Sequence, residues 1–131
     1  MPITIVESDQ APGHSGPVPQ SVRAGDVVYV SALFGSDPVT DEIPDDAQDE
    51  ARLMLTHLGS ILAAHGAGYD RVVQAGIFMK ELQRDRPAFN RVWAEVFGDH
   101  RPARSAVGVN DFGRPGKDFR YMMQAVAYLG E

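Results

Sequence analysis

Arg104 is the side chain in this sequence best placed to hold a ligand. It stands in Ala103-Arg104-Ser105-Ala106-Val107-Gly108-Val109, where strand alternation puts it on one face with Ala106 and Gly108 and turns Val107 and Val109 toward the expected core. An arginine flanked by small residues lines a hollow. Its rigid fork pairs bidentately with a carboxylate, so a cleft around it would suit a small organic acid, and a structural ion pair is the competing use. Other chemistries lack their residues. Without cysteine there is no disulfide, thiolate nucleophile or Cys-based zinc site. His14, His57, His65 and His100 lie in separate elements with no i,i+4 pair, so no metal is expected, and His57 and His65 read as ordinary surface or core-edge residues. Gly66-Ala67-Gly68 follows a helix and precedes a strand, the reverse of a dinucleotide fingerprint. Gly113-Arg114-Pro115-Gly116-Lys117 lacks the spacing of a phosphate loop, and no Gly-x-Ser-x-Gly elbow activates a serine.

The frame that must position Arg104 is a single domain spanning 1–131. With 131 residues, 44% hydrophobic and 23% charged, the chain suffices for one packed core and falls short of two. Its net charge of −6, with basic residues scattered, disfavours nucleic acid or an anionic membrane as partner. No apolar run is long enough to span a bilayer, and Met1-Pro2-Ile3 does not open a signal peptide, so a cytoplasmic location is expected.

Ile3 to Val6 reads as a strand, followed by a Pro- and Gly-rich loop from Gln10 to Gln20. Val27 to Ser31 is a second strand, ending near Ala32. From Asp45, the positions Ala47, Ala51, Met54, Leu55, Leu58, Ile61 and Leu62 mark one helix face that stops at Gly66, with acidic residues in the first turns. Arg71 to Met79 alternates as a strand, with Val73, Ala75, Ile77 and Met79 on one side. Asp85 is expected to cap a second helix with Pro87 in its first turn, a stripe from Phe89 to Phe97 and an end at Gly98. Ala103 to Val109 and Asp118 to Leu129 read as strands joined by a long hairpin connection. The expectation is an α+β fold of order ββαβαββ, with a mixed sheet and two helices on one face. The last strand is apolar on both sides, Phe119, Tyr121, Met123, Ala125 and Ala127 alternating with Met122, Val126 and Tyr128. Other copies of the chain are the expected cover for the second face, and curling of the sheet over itself is the alternative.

Ala11-Pro12, Pro17 after Gly16, Gln20, Val22-Arg23-Ala24-Gly25-Asp26 and Val28-Tyr29-Val30-Ser31 resemble the N-terminal signature of the RidA (YjgF/YER057c/UK114) family. The resemblance continues through His65-Gly66, Asp70-Arg71-Val72-Val73, Phe89-Asn90-Arg91-Val92-Trp93 and Arg101-Pro102-Ala103-Arg104-Ser105-Ala106-Val107. It implies a chorismate-mutase-like subunit assembled as a homotrimer with sheets facing the interior and clefts between neighbours. It also implies hydrolysis of enamines and imines such as 2-aminoacrylate to 2-oxo acids and ammonia, with no metal or organic cofactor. Arg104 matches the arginine that binds the substrate carboxylate, Asn90 a frequent site-region asparagine, and Ser31, Ala32 and Ala106 positions whose backbone lines the cleft.

Three departures bear on activity. Val18 stands where the family usually has a ligand-facing tyrosine, and Gln124 stands where a glutamate is usual. Ala32-Leu33 replaces Gly-Gln, adding a methyl and an apolar side chain to the expected cleft wall. A carboxamide cannot accept a proton as a carboxylate does, so Gln124 is left to orient water by hydrogen bonding. Two function classes follow: an enamine or imine deaminase with Arg104 as anchor and Gln124 as water-orienting group, or a non-deaminating member that binds a small organic acid or serves a specialised pathway. Ribonuclease activity, also associated with the family, fits an acidic chain without a basic groove poorly.

Overall fold

The structure, a computed structural model, describes residues 2–13 and 17–131; His14 and Gly16, named above, lie outside the described residues. Among the described residues six strands form one sheet in the order β1-β2-β3-β6-β4-β5: β1 Ile3–Val6, β2 Ser21–Ala24, β3 Val27–Leu33, β4 Val72–Met79, β5 Ala103–Gly108 and β6 Tyr121–Tyr128. Helices α1, Ala47–Ala64, and α2, Leu82–Phe97, pack on each other and cover one face. The α+β architecture with its mixed sheet and two helices stands as expected.

The sequence pattern fell short at four places. Ser21–Ala24 is an additional strand, too short and too mixed to stand out, paired with Val27–Val30 through the two-residue turn Gly25-Asp26. Gly25 has φ 61°, a conformation glycine adopts without penalty in a tight hairpin. The two C-terminal strands do not form a hairpin. β5 pairs parallel with β4 across α2, and β6 inserts between β3 and β4, antiparallel to both. A strand-helix-strand crossover requires that parallel pairing, and a strand apolar on both faces belongs at the sheet's centre.

In β4 the register against β6 shifts between Val72 and Gln74, so Val72 enters the core while Val73 turns outward, breaking the expected alternation. Finally, α2 starts at Leu82 rather than beyond Asp85, and its first residue is preceded by Glu81 with no side-chain cap. Asp85 therefore lies inside the helix, buried and held by Arg84 through two 3.0 Å contacts, and Pro87 lies deeper in the helix than its first turn.

The first helix follows its sequence closely. Asp46 Oδ1 accepts from the amides of Gln48 and Asp49 at 2.8 and 3.1 Å, filling two of the vacant donors at the helix start. At the other end Gly66, φ 73°, and Ala67 donate to the carbonyls of Ala63 and Leu62, closing a Schellman turn. Between these caps Met54, Leu55, Leu58, Ile61 and Leu62 pack on Val28, Ile77, Met79 and Met123 of the sheet.

A fully buried carboxylate fixes α1 to the start of β6. Glu50 accepts from the Arg120 amide at 2.8 Å and the Tyr121 amide at 3.3 Å, and from Arg120 Nη1 at 2.8 Å. Arg120 in turn donates to the carbonyls of Pro44 and Asp45. Burial pushes the Glu50 carboxyl above its ordinary pKa, against the lowering effect of these donors. Gly35 lets the chain pass this point, because a Cβ there would collide with the Glu50 carbonyl.

Candidate functional site

Arg104 lies on the edge strand β5, paired among the described residues only with β4, where it stands opposite Ala75 while Ala106 stands opposite Ile77. Ala75 and Ile77 point under the helices, so Arg104 and Ala106 share the helix-covered side. Val107, 44% exposed, points to the bare side instead of the core. Alternation groups the residues of a strand correctly but does not say which group faces in, and an edge strand weakens the hydrophobic cue that would.

The Arg104 guanidinium lies over the Trp93 ring, 4.9 Å from its centroid, and 5.7 Å from that of Phe89. Nη2 donates to Asn90 Oδ1 at 2.9 Å. One hydrogen bond and an aromatic floor thus orient the fork, leaving donors for a planar anion. No carboxylate among the described residues lies within ion-pair distance of it, which removes the structural ion pair within the chain. Burial lowers its pKa, with a further lowering from the charge of Arg86. The guanidinium remains charged throughout the physiological range.

A second group of residues forms around a β-bulge. Between the pairs Val30–Ala125 and Leu33–Met123, Ser31 and Ala32 together oppose Gln124. Gln124 projects from the bare side of the sheet beside a hollow of about 400 Å³ whose lining includes Tyr29, Gly76, Phe78, Ser105 and Val126. Gly76 faces Gln124 across the ladder, and a Cβ there would come within 3.4 Å of Gln124 Cγ. No carboxylate belongs to this lining.

Leu33 does not extend the wall of that hollow. Its side chain is buried in the core against the helices, so the expected apolar addition to the cleft is withdrawn. Val18 is exposed on the N-terminal loop.

Gln20 ties this loop to the bulge. Its Nε2 donates to the carbonyls of Ser8, Ala11 and Pro12, its Oε1 accepts from the Ser8 amide at 2.6 Å, and its carbonyl accepts from the Ser31 amide at 2.9 Å. A buried amide with every polar atom used is a positioning device, not a ligand contact.

The sequence-derived residues therefore fall into two sets on opposite faces. Arg104, Asn90 and Ala106 lie on the helix-covered side at the β5 edge; Gln124 and the Ser31-Ala32 bulge lie on the bare side. Within one chain they do not meet. Sequence reasoning missed Trp93 and Phe89 as the floor under Arg104, and Gly76 as the space beside Gln124. The first could have been found from spacing, because positions 89, 90 and 93 share one helix face.

The histidines serve the scaffold. His57, 2% exposed, donates from Nε2 to the Ser36 carbonyl at 2.7 Å, so it is a core residue rather than a core-edge one. His65 lies 2.8 Å from Ser21 Oγ, and His100 donates to the Val72 carbonyl at 2.7 Å. Among the described residues no group of three or more His, Asp or Glu is arranged to hold a metal. Among the described residues no helix is long and apolar enough to cross a membrane.

The fold is shared with known proteins. Residues 8–128 match the family described as Endoribonuclease L-PSP. The chain is 33% identical over 125 residues to a RutC family protein of Pyrococcus horikoshii, covering 95% of this chain and 96% of that one. It is 32% identical over 127 residues to the 2-iminobutanoate/2-iminopropanoate deaminase of Capra hircus, covering 96% and 90%. The crystal structure of E. coli TdcF with bound serine superimposes with a TM-score of 0.87 at 34% identity, covering 95% of this chain and 98% of that one. With fold, element order and near-complete coverage in agreement, the chain belongs to the RidA (YjgF/YER057c/UK114) family.

Proposed function

We propose that the protein is a cofactor-independent enamine or imine deaminase acting on small 2-imino acids, in clefts formed between copies of the chain in a homotrimer. The observation that carries this reading is the state of Arg104: oriented by Asn90, floored by Trp93 and without a carboxylate partner among the described residues. A guanidinium held so is preorganised for a carboxylate, which fixes the substrate before reaction. The deaminase name carried by the Capra hircus relative supports the same chemistry.

In this reading the enamine is protonated at carbon to its imine, water adds to the C=N carbon, and the resulting carbinolamine expels ammonia to leave the 2-oxo acid. Gln124 and the Ser31-Ala32 backbone hold the water, and Arg104 of another copy holds the carboxylate. Two sets of residues on opposite faces of one sheet can share a ligand only if two chains contribute, and the bare apolar side supplies the surface for that contact.

The absence of a carboxylate from the lining beside Gln124 favours a second reading, a member that binds a small acid without deaminating it. Generating 2-aminoacrylate in the presence of the protein and following 2-oxo acid and ammonia separates the two. Acceleration that is lost in Arg104→Ala and reduced in Arg104→Lys supports the deaminase; binding of small 2-oxo acids by calorimetry without acceleration supports the binder. Equal behaviour of wild type and Arg104→Ala in both assays overturns Arg104 as anchor.

A further inference from the structure

The stripe of α2 that covers Arg104 includes one more residue. Arg86 precedes Phe89 by three positions, Asn90 by four and Trp93 by seven, so it belongs to the helix face that supplies the floor and the hydrogen bond for Arg104. Arg86 is exposed and has no carboxylate within ion-pair distance among the described residues, whereas its neighbour Arg84 is neutralised by Asp85. Two guanidinium groups without a carboxylate partner among the described residues are thus carried to one helix face in a chain of net charge −6, Arg86 one turn before the Asn90 to which Arg104 is bonded. Burial, and after it the positive charge of Arg86, holds the Arg104 guanidinium below its ordinary pKa, in keeping with that placement. Like charges held together raise the energy of the empty protein and reward a ligand that neutralises both.

We infer that Arg86 and Arg104 form a two-cation ligand site, so that the preferred ligand is a dianion: a 2-imino or 2-oxo acid with a second acidic group at its far end. This rests on the proposed role of Arg104 as carboxylate anchor and adds Arg86 as the residue that selects among acids. A single carboxylate satisfies one fork and leaves the other cation repelled. A second carboxylate, or a phosphonate in its place, takes donors from Arg86 in the charge-assisted geometry that guanidinium favours.

The test compares affinities in pairs by calorimetry, using oxaloacetate and 2-oxoglutarate against 2-oxobutanoate and 2-oxopentanoate, with 3-phosphonopyruvate as the phosphorus-containing probe. The wild type is expected to favour the dianion of a pair by at least about tenfold, the effect of one added charge-assisted contact. Arg86→Gln should bring that ratio close to one, and Arg86→Lys should keep part of it. Whether the dicarboxylates or the phosphonate show the larger preference identifies the second group. A wild-type ratio near one, or a ratio unchanged in Arg86→Gln, overturns the inference. If Arg104→Ala leaves all affinities intact, the anchor reading fails first, and the two failures are thereby distinguished.

Discussion

On the helix-covered side of the sheet, Val28, Ile77, Tyr121, Met123 and Ala127 are sealed from solvent, whereas on the bare side Tyr29 and Tyr128 keep 53% and 43% of their surface exposed. Both sides belong to the same strands and differ by one position along the chain. The covered side is completed within the chain: caps, apolar stripes and the Glu50–Arg120 bond leave little to be supplied from outside. The bare side holds a hollow, a bulge and exposed aromatic surface. The difference separates what folds the subunit from what a second copy is proposed to complete, and it divides the candidate site, because Arg104 stands on one side and Gln124 on the other.

Breaking the covered side should have the largest effect. Glu50→Ala removes the acceptor of three hydrogen bonds and strands Arg120, 25% exposed, against the carbonyls it still faces. Loss of one partner of a buried charge pair costs about 3–5 kcal/mol. Urea unfolding should show a midpoint lowered accordingly, and a loss below about 1 kcal/mol would show that the bond is dispensable. Glu50→Gln, which keeps an acceptor oxygen, should fall between wild type and the alanine variant.

The bare side should respond in assembly rather than in folding. Val126→Asp puts a carboxylate between Tyr29 of β3 and Gln74 of β4, in the middle of the surface proposed to meet other copies. Wild type is expected to sediment as a trimer at micromolar concentration, and the variant's association should weaken at least tenfold, or about 1.4 kcal/mol, while its far-ultraviolet circular dichroism is retained. A variant that unfolds instead would mean that the covered side does not stabilise the subunit alone. A wild type that sediments as a monomer would remove the shared cleft.

The same division decides how much was legible in the sequence. The helix from Ala47 to Ala64 was readable in phase and, to within two residues, in extent, because its apolar stripe, its acidic start and Gly66 act locally, while the cap itself, Asp46, was read as part of the first turn. The central place of β6 was implied by its two apolar faces, but its partners were not, since pairing is a long-range choice that alternation does not encode. Ser21–Ala24 escaped because four residues with one β-branched member carry too little pattern, and the start of α2 escaped because Glu81 makes no cap. In the candidate site, Arg104 was singled out by its type and its small strand neighbours, and Asn90 and Gln124 by the family resemblance. The direction of Arg104 and the burial of Leu33 were not, because each depends on which side of the sheet the helices cover.

The smallest expected effect lies in the one buried polar atom without a partner among the described side chains. His57 donates from Nε2 to Ser36, which leaves Nδ1 as a buried lone pair with no partner. Protonating it would create a charge and an unsatisfied N–H together, and burial accordingly holds the imidazole below its ordinary pKa near 6.5. The unfolded chain therefore binds this proton more readily than the folded one. Stability should be intact above pH 6.5 and fall as pH drops from there toward the lowered folded value, by at most about 1.4 kcal/mol per pH unit for one proton. His65, also lowered by burial, adds a slope of the same sign, while Glu50, raised above its ordinary value, acts oppositely where it titrates. His57→Gln keeps a donor for the Ser36 carbonyl and removes the titration, so the variant should lose stability less steeply than wild type between pH 7 and 5.5. Parallel slopes would mean that the folded protein accommodates the imidazolium, and that the covered side is less closed than its packing implies.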